Sequence, residues 1–329
     1  MILAAAMLLA GCTKTETVRA IEKAAPAALP KIRFQTDWSP QPEQGGNFQA
    51  AARGFYKDAG VDAEITAGGP GRPMITGLLA GQHDVEIAES VDVITRVSSG
   101  LPLVMVAAVM EHDPLAVMVH EESPVHGFAD LNGRTVMSIP GTTWMTYVKW
   151  RYGIDFNLVP MNFSIAQFMA DPTFIQQCFI TSEPFFVAKN GVKVRAMLIA
   201  ESGYDPYRVY VTTRQYAHDH PRELRAFIEA SIRGWNDFAA EPGPGRRLIA
   251  SLNPQMTPDF LDYDLAAIAK YHLIAGDPSK GDRTGLITKR RLQEQIDLLV
   301  SIKAIPKAVE VSDVASFEFL PADLQALTQ

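Results

Sequence analysis

The sequence predicts an α/β protein built as two lobes, and three observations carry that prediction. A length of 329 residues gives room for two compact units at about 150 residues each. Short β-branched runs alternate with helical segments in two successive sets, the rhythm of βαβ units around a mostly parallel sheet. The last third then turns to long amphipathic helices with almost no strand. Apolar residues at 47% and charged residues at 20% give a globular balance and exclude a mainly disordered, collagen-like or coiled-coil chain. Thirty basic against thirty-seven acidic side chains leave a net charge of −7, the wrong sign for affinity won by neutralising nucleic-acid phosphates.

The chain opens on an apolar run from Ile2 to Ala10, followed by Gly11 and Cys12. At roughly ten residues the run is too short to span a bilayer and has the length of an export-signal core. Leu9-Ala10-Gly11-Cys12 resembles a bacterial lipobox, in which Cys12 would be acylated. The positive segment that usually precedes such a run is missing, so either the start codon lies upstream or the match is accidental. With Cys12 lipidated, Cys178 has no disulfide partner and should be a reduced, buried thiol. Residues 13–30, rich in Thr, Ala, Lys, Glu and Pro, read as a flexible tether, and the folded body begins near Lys31.

From there the elements follow in order. IRFQTDW reads as a strand, NFQAAARGFYKDAG as a helix, VDAEITAG as a strand and PMITGLLAG as a helix. DVEIAES, VDVITRVSSG and LPLVMVAAVM continue as strand, helix and strand, with Gly60, Gly81 and Gly100 closing helical segments. A second set begins at RTVMSIPG, followed by TTWMTYVKWRYG, NLVPMNF, IAQFMAD and VKVRAMLIAES. Beyond it, Leu224, Phe227, Ile228, Ile232, Trp235 and Phe238 fall on one helical face. Thr257-Pro258 reads as a helix start, Glu241–Gly245 as a break, and Leu292, Ile296, Leu299 and Val300 as a further stripe. The extended stretches His112–His120 and Tyr207–Thr213 are the two places where the chain could cross between lobes. Residues 31–119 with 206–329 would then form one lobe and 120–205 the other, with the tail helices packed on the first. Two lobes joined by two hinge strands make a cleft that can close around a ligand.

Ligand sites in open α/β sheets lie outside the carboxyl ends of the strands, which directs attention to the residues there. The first strand is followed by Asp37, Trp38, Ser39, Pro40, Gln41, Pro42, Glu43 and Gln44, the second by Gly68, Gly69, Pro70 and Gly71, and the third by Glu89 and Ser90. The second set offers Gly141, Thr142, Thr143 and Trp144, then Thr181, Ser182, Glu183 and Pro184.

The Asp37-Trp38-Ser39-Pro40 strand end, the GFYKDAGVDAEI run, the Gly68-Gly69-Pro70 turn, the LLAGQHDVEIA segment and Thr181-Ser182-Glu183-Pro184 together resemble the thiamine-pyrimidine-synthase-like family of ABC-transporter substrate-binding proteins, over about Ile32 to Ala240. The resemblance implies a type II periplasmic-binding-protein fold, an ABC permease and ATPase as partners, and capture of a formylated aminopyrimidine precursor of thiamine. Other members take sulfonates, nitrate or flavin precursors.

For such a ligand the Trp38 indole would stack on a flat heteroaromatic ring, although a core aromatic would look the same in sequence. Asp37 and Glu183 are acceptors suited to an exocyclic amine and a protonated ring nitrogen; otherwise they are a turn-forming Asp and a surface Glu. Glu89 and Ser90 are ligand groups or ordinary helix caps. Gly141, Thr142 and Thr143 stand between a strand and a helix, where free N–H groups would hold an anion or carbonyl, or simply form a tight turn. Gly69 and Pro70 would complete the wall, with Phe179 and Tyr207 as candidates for a second aromatic face. Gln41 and Gln44 stand where many pyrimidine-binding members carry Asn and His, which shifts the expected ligand toward an uncharged heteroaromatic or an amide-bearing molecule.

Enzyme readings find little footing in the sequence. It has no GxSxG elbow, Walker loop or HExxH, and Gly68-Gly69-Pro70-Gly71 lacks dinucleotide-fingerprint spacing. His218 and His220 flank Asp219 just before Pro221, as a solvated cap or, less simply, a metal site. Relatives in the resembled family that synthesise the pyrimidine use a cysteine-rich iron motif, absent here. The expectation is a membrane-tethered, extracytoplasmic binding protein with no cofactor and no metal, with a receptor-docking ligand sensor as the further alternative.

Overall fold

The computed structural model describes residues 28–70 and 72–329. The export-signal run, Cys12 and most of the tether therefore lie outside the described residues. The first sheet contains β1 (Lys31–Gln35), β2 (Asp62–Thr66), β3 (Val85–Glu89) and β4 (Leu103–Met110), the second β5 (Leu115–His120), β6 (Thr135–Ser138), β7 (Asn157–Pro160), β8 (Ile175–Phe179) and β9 (Val194–Leu198). After β9 the chain returns, and β10 (Arg208–Thr213) joins the first sheet. The strand orders are β2-β1-β3-β10-β4 and β7-β6-β8-β5-β9, so the two sheets repeat one plan.

In each sheet one strand runs against the rest. β10 is antiparallel to both β3 and β4, and β5 to both β8 and β9. Each is the first strand laid down after a crossing, and each slots into the sheet it has just entered. β4 is buried along all eight residues, which is why LVMVAAVM is an unbroken apolar run without strand alternation. Helices cover both sheets. The buried stripe Leu224, Phe227, Ile228, Ile232, Trp235 and Phe238 of helix Pro221–Ala240 packs on the helix Gly45–Arg53. That contact is close. A Cβ at Gly46 would lie 2.1 Å from the Trp235 ring, and one at Gly234 would lie 2.2 Å from the Gly46 carbonyl oxygen.

The crossing points differ from the expectation. Leu115–His120, expected to be a connecting strand with the lobe boundary after residue 119, is a full member of the second sheet. Tyr207–Thr213 likewise enters the first sheet as β10. The chain crosses instead at residues 111–114 and 199–207, and these two segments are tied together. His112 Nδ1 lies 2.6 Å from Asp205 Oδ2, and the Arg291 guanidinium donates to the Asp205 carbonyl (2.7 Å), the Glu111 carbonyl (2.8 Å) and the Glu111 carboxylate. The sequence pattern missed this because β5 is apolar on both faces, as a strand in mid-sheet must be, whereas the true connectors are short and polar.

The C-terminal helices pack on the first lobe, and one of them also reaches the second. On helix Pro258–Lys270, Phe260 packs against Phe185 and Phe186, Tyr263 Oη donates to the Ile180 carbonyl (3.0 Å), and Asp259 pairs with Lys189 (2.8 Å). Thr257 precedes this helix as expected, but its hydroxyl donates to Asp259 Oδ1 (2.5 Å) and does not cap a helix amide. Asp219 and His218 form an exposed pair 2.8 Å apart at the end of the short helix Arg214–Asp219.

Candidate functional site

Strand direction places the site. The carboxyl ends of β1 to β4 point to one edge of the first sheet, and because β10 runs backwards its amino end, Arg208, stands at that same edge, paired with Glu89 and Met110. The second sheet turns the equivalent edge toward it, with the ends of β6, β7 and β8 and the start of β5. Between the edges lies a cleft of about 300 Å³. Larger hollows exist on the outer faces, about 410 Å³ beside His120 and Lys193 and about 750 Å³ beside Arg214 and Lys289. Each of those draws its walls from one lobe alone, whereas the cleft draws on both, as a site that closes on a ligand must.

Asp37, Trp38, Gln41, Glu89, Thr142, Phe179 and Glu183, all expected from the sequence, line this cleft together. Trp38 forms the first-lobe wall, its ring centroid 5.4 Å from that of Phe163 across the gap. Asp37 accepts a hydrogen bond from Gln44 Nε2 (2.8 Å) and lies 3.4 Å from Arg208 Nη1. Burial pushes its carboxyl above the usual range, against the pull of Arg208. Glu89 accepts from the Tyr204 hydroxyl (2.6 Å) and is pushed up to about 7 by burial, with the Asp113 charge adding to the shift. Glu183 opens the helix Glu183–Lys189, and its Oε2 accepts the Phe179 N–H (2.8 Å). Burial raises its pKa, that N–H opposing. Thr142, at the start of helix Thr143–Tyr152, donates to the Ile139 carbonyl (3.1 Å).

Other expected residues stand outside the lining. Gln44 is buried behind Asp37 and holds it in place. Gly69 and Pro70 lie off the cleft, and the work of that turn falls to Gly68. Its N–H donates to Thr36 Oγ1 (3.2 Å), and a Cβ there would strike the Thr36 carbonyl oxygen at 2.0 Å, so the turn braces the strand end that carries Asp37. Ser90 is fully buried, donating to Gln295 (2.7 Å) and accepting the Tyr207 N–H (3.0 Å), which makes it a tie to the crossing segment. Tyr207 is also buried, its ring 4.0 Å beneath the Arg291 guanidinium. Gly141 makes the turn before Thr142 with φ +82°, and Thr143 is the first helical residue; neither lines the cleft.

To the lining the structure adds Arg208, Leu115, Ile139, Met161, Phe163 and Gln177, together with Ser182, expected only as a strand-end residue, and Cys178, expected only as a buried thiol. Cys178 is a free, buried thiol, held well above its usual range by burial and by Glu183. Arg208 matters most. Its Nε lies 2.9 Å from Asp113 Oδ2, Asp37 stands at its Nη1, and its guanidinium sits 5.2 Å from the Phe179 ring centroid. The cleft floor thus carries one fixed cation amid Asp37, Asp113 and Glu89.

Two lobes of one sheet plan, joined by two crossings and facing each other across a polar-and-aromatic cleft, define a two-lobed α/β protein of the periplasmic-binding-protein fold. The chain belongs to the NMT1/THI5-like family, whose model matches residues 41–244. A curated relative, the riboflavin-binding protein RibY of Chloroflexus aurantiacus, is 22% identical over 242 residues, 69% of each chain. Among solved structures, the alkanesulfonate-binding protein SsuA of Xanthomonas axonopodis pv. citri, bound to MOPS, matches 88% of this chain and 100% of its own with a TM-score of 0.65 at 14% identity. The desulfurization enzyme DSZB shares the fold as well, with a TM-score of 0.56 at 12% identity over 88% of this chain and 97% of its own.

Proposed function

We propose that this chain is the solute-capturing component of an ABC importer and that its cleft takes a small, flat, uncharged heteroaromatic molecule, with aminopyrimidines of the thiamine-precursor type as the first class. The observation that carries the reading is the cleft itself: an indole from one lobe and a phenyl ring from the other face carboxylates and amides at strand ends from both. Aromatic walls recognise a ring by stacking, and Asp37, Glu89 and Glu183 are acceptors for its N–H groups. A volume of about 300 Å³ suits a single substituted ring. Likeness to RibY supports a flavin as a second reading, its ring in the cleft and its side chain in the mouth.

Binding in place of catalysis is part of the proposal, since the polar groups are spread around the cavity and burial, with the Glu183 charge, disfavours the thiolate of Cys178, the thiol in the lining. The Leu9-Ala10-Gly11-Cys12 sequence supports an acylated, extracytoplasmic protein, and no helix among the described residues is long and apolar enough to cross a membrane.

A thermal-shift screen of the chain from Lys31 against aminopyrimidines, thiamine, riboflavin, alkanesulfonates and nitrate tests the reading. A ligand at a hundred times its Kd should stabilise the fold by about 2.7 kcal/mol. Turnover of a hit, or silence across the heteroaromatic set, would overturn it.

A further inference from the structure

The cleft floor holds a charge arrangement that the capture of a flat ring does not by itself require. Arg208 is the one cation in the lining. It is ion-paired through Nε to Asp113, itself buried and fixed by the Leu115 N–H at 2.8 Å, and lies beside Asp37 and Glu89. With Asp113 alone ionised the group is neutral, and every further ionisation makes it negative. Nη1 donates to Asp37 (3.4 Å), Nε faces Asp113 as an ion pair without a hydrogen bond, and Nη2 has no hydrogen-bond partner among the described residues. An anion entering here would meet a guanidinium already neutralised by Asp113, and it would be repelled by Asp37 and Glu89 wherever these are ionised, a like-charge juxtaposition that is strongly unfavourable. A neutral carbonyl or ring nitrogen would meet only an uncommitted N–H donor.

We propose that Arg208 is the specificity-determining residue of the cleft: it donates Nη2–H to a neutral acceptor on the ligand ring, and Asp37, Asp113 and Glu89 around it bar sulfonates and nitrate. The inference rests on the cleft being the solute site and deepens that reading. It also explains how a chain with the fold of a sulfonate-binding protein would refuse sulfonates. Discrimination here is built from repulsion as well as attraction.

The test uses calorimetric titration of the chain from Lys31, as wild type, Asp37→Asn/Glu89→Gln and Arg208→Lys, with four probes: a formylated 4-aminopyrimidine, riboflavin, ethanesulfonate and nitrate. The paired amide variant keeps the shape and the Asp113–Arg208 pair but removes two acids, and ethanesulfonate should bind it at least about tenfold more tightly than wild type. Arg208→Lys keeps the charge and loses the forked donors, and should weaken whichever heteroaromatic probe binds by about tenfold. A wild type that binds ethanesulfonate or nitrate as well as the paired variant does overturns the inference, as does full heteroaromatic affinity in Arg208→Lys. Gain of ethanesulfonate binding by the paired variant, with neither heteroaromatic probe bound by wild type, would uphold the charge barrier and dismiss the heteroaromatic ligand, so the two failures are separable.

Discussion

Trp38 and Glu183 face the same cavity but are held differently, and their variants should behave differently. The Trp38 ring packs against Phe163 across the cleft, and it makes no side-chain hydrogen bond among the described residues. Trp38→Ala should therefore leave the fold intact while weakening a bound heteroaromatic by about tenfold, the scale of one lost stacking partner with its buried area; isothermal titration of the hit from the ligand screen reads this directly. Glu183 has a structural duty, since its carboxylate receives the Phe179 N–H. Glutamine can still accept that bond, so Glu183→Gln should change the unfolding midpoint little, and any tenfold loss of affinity measured by the same titration reports the ligand contact alone. Residues at strand ends were legible because the edge rule for parallel strands points to them, and Asp37, Trp38, Glu89 and Phe179 stand where that rule puts them. Arg208 was not legible, because the rule looks at carboxyl ends and Arg208 opens the strand that runs the other way. Phe163 was hidden for another reason. It sits after a short strand with φ +57°, a left-handed conformation that nothing in NLVPMNF announces.

At the level of elements, the helix Gly45–Arg53, which follows the Trp38 loop in the chain, is held by its close contact with the helix Pro221–Ala240. Gly234 lets the two backbones touch, with Ala50 Cβ only 2.7 Å from where a Cβ would stand. Gly234→Ala should destabilise the protein by about 1–3 kcal/mol through overpacking, despite the better helix propensity of alanine, and a urea unfolding curve would show it. Beneath that contact Asn47 Nδ2 donates to Tyr210 (2.8 Å) and Tyr56 (3.0 Å), and Trp235 Nε1 donates to Tyr210 (3.1 Å), so the helix pair is locked to β10 by a buried polar network. The order of strands and helices was readable from periodicity and turn residues. The pairing of β5 and β10 into the sheets they enter was not, because a strand buried on both faces carries no mark of its direction.

For the whole molecule, three chain regions meet at Glu43. Its side chain accepts a hydrogen bond from Thr181 of the second lobe, and the buried carboxyl of Asp264, on helix Pro258–Lys270, lies near it without a hydrogen-bond partner of its own. Burial pushes Glu43 up and Asp264 well above the usual carboxylate range, with the Glu43 charge adding to the shift at Asp264. Asp37, Glu183 and Arg208 lie near Glu43, and Tyr263 near Asp264. The folded protein therefore binds more protons than the unfolded chain once pH passes the ordinary carboxylate pKa, and stability must fall as pH rises from there through the raised values. Glu89 and Glu111, each pushed up to about 7, act in the same direction. His112, raised by its bond to Asp205, adds stability at low pH that is lost as pH climbs past its folded value. Thermal midpoints should decline between about pH 5 and 8, and Asp264→Asn, which removes one of these buried acids, should flatten that decline.

Helix Pro258–Lys270 gives the second lobe a mounting beyond the two crossings, through Phe260, Tyr263 and Asp259. A body hung on two cords can swing freely, but one resting on a third support must either slide over it or carry it along. Opening of the cleft should therefore be a tilt of the second lobe about this strut that parts Phe163 from Trp38.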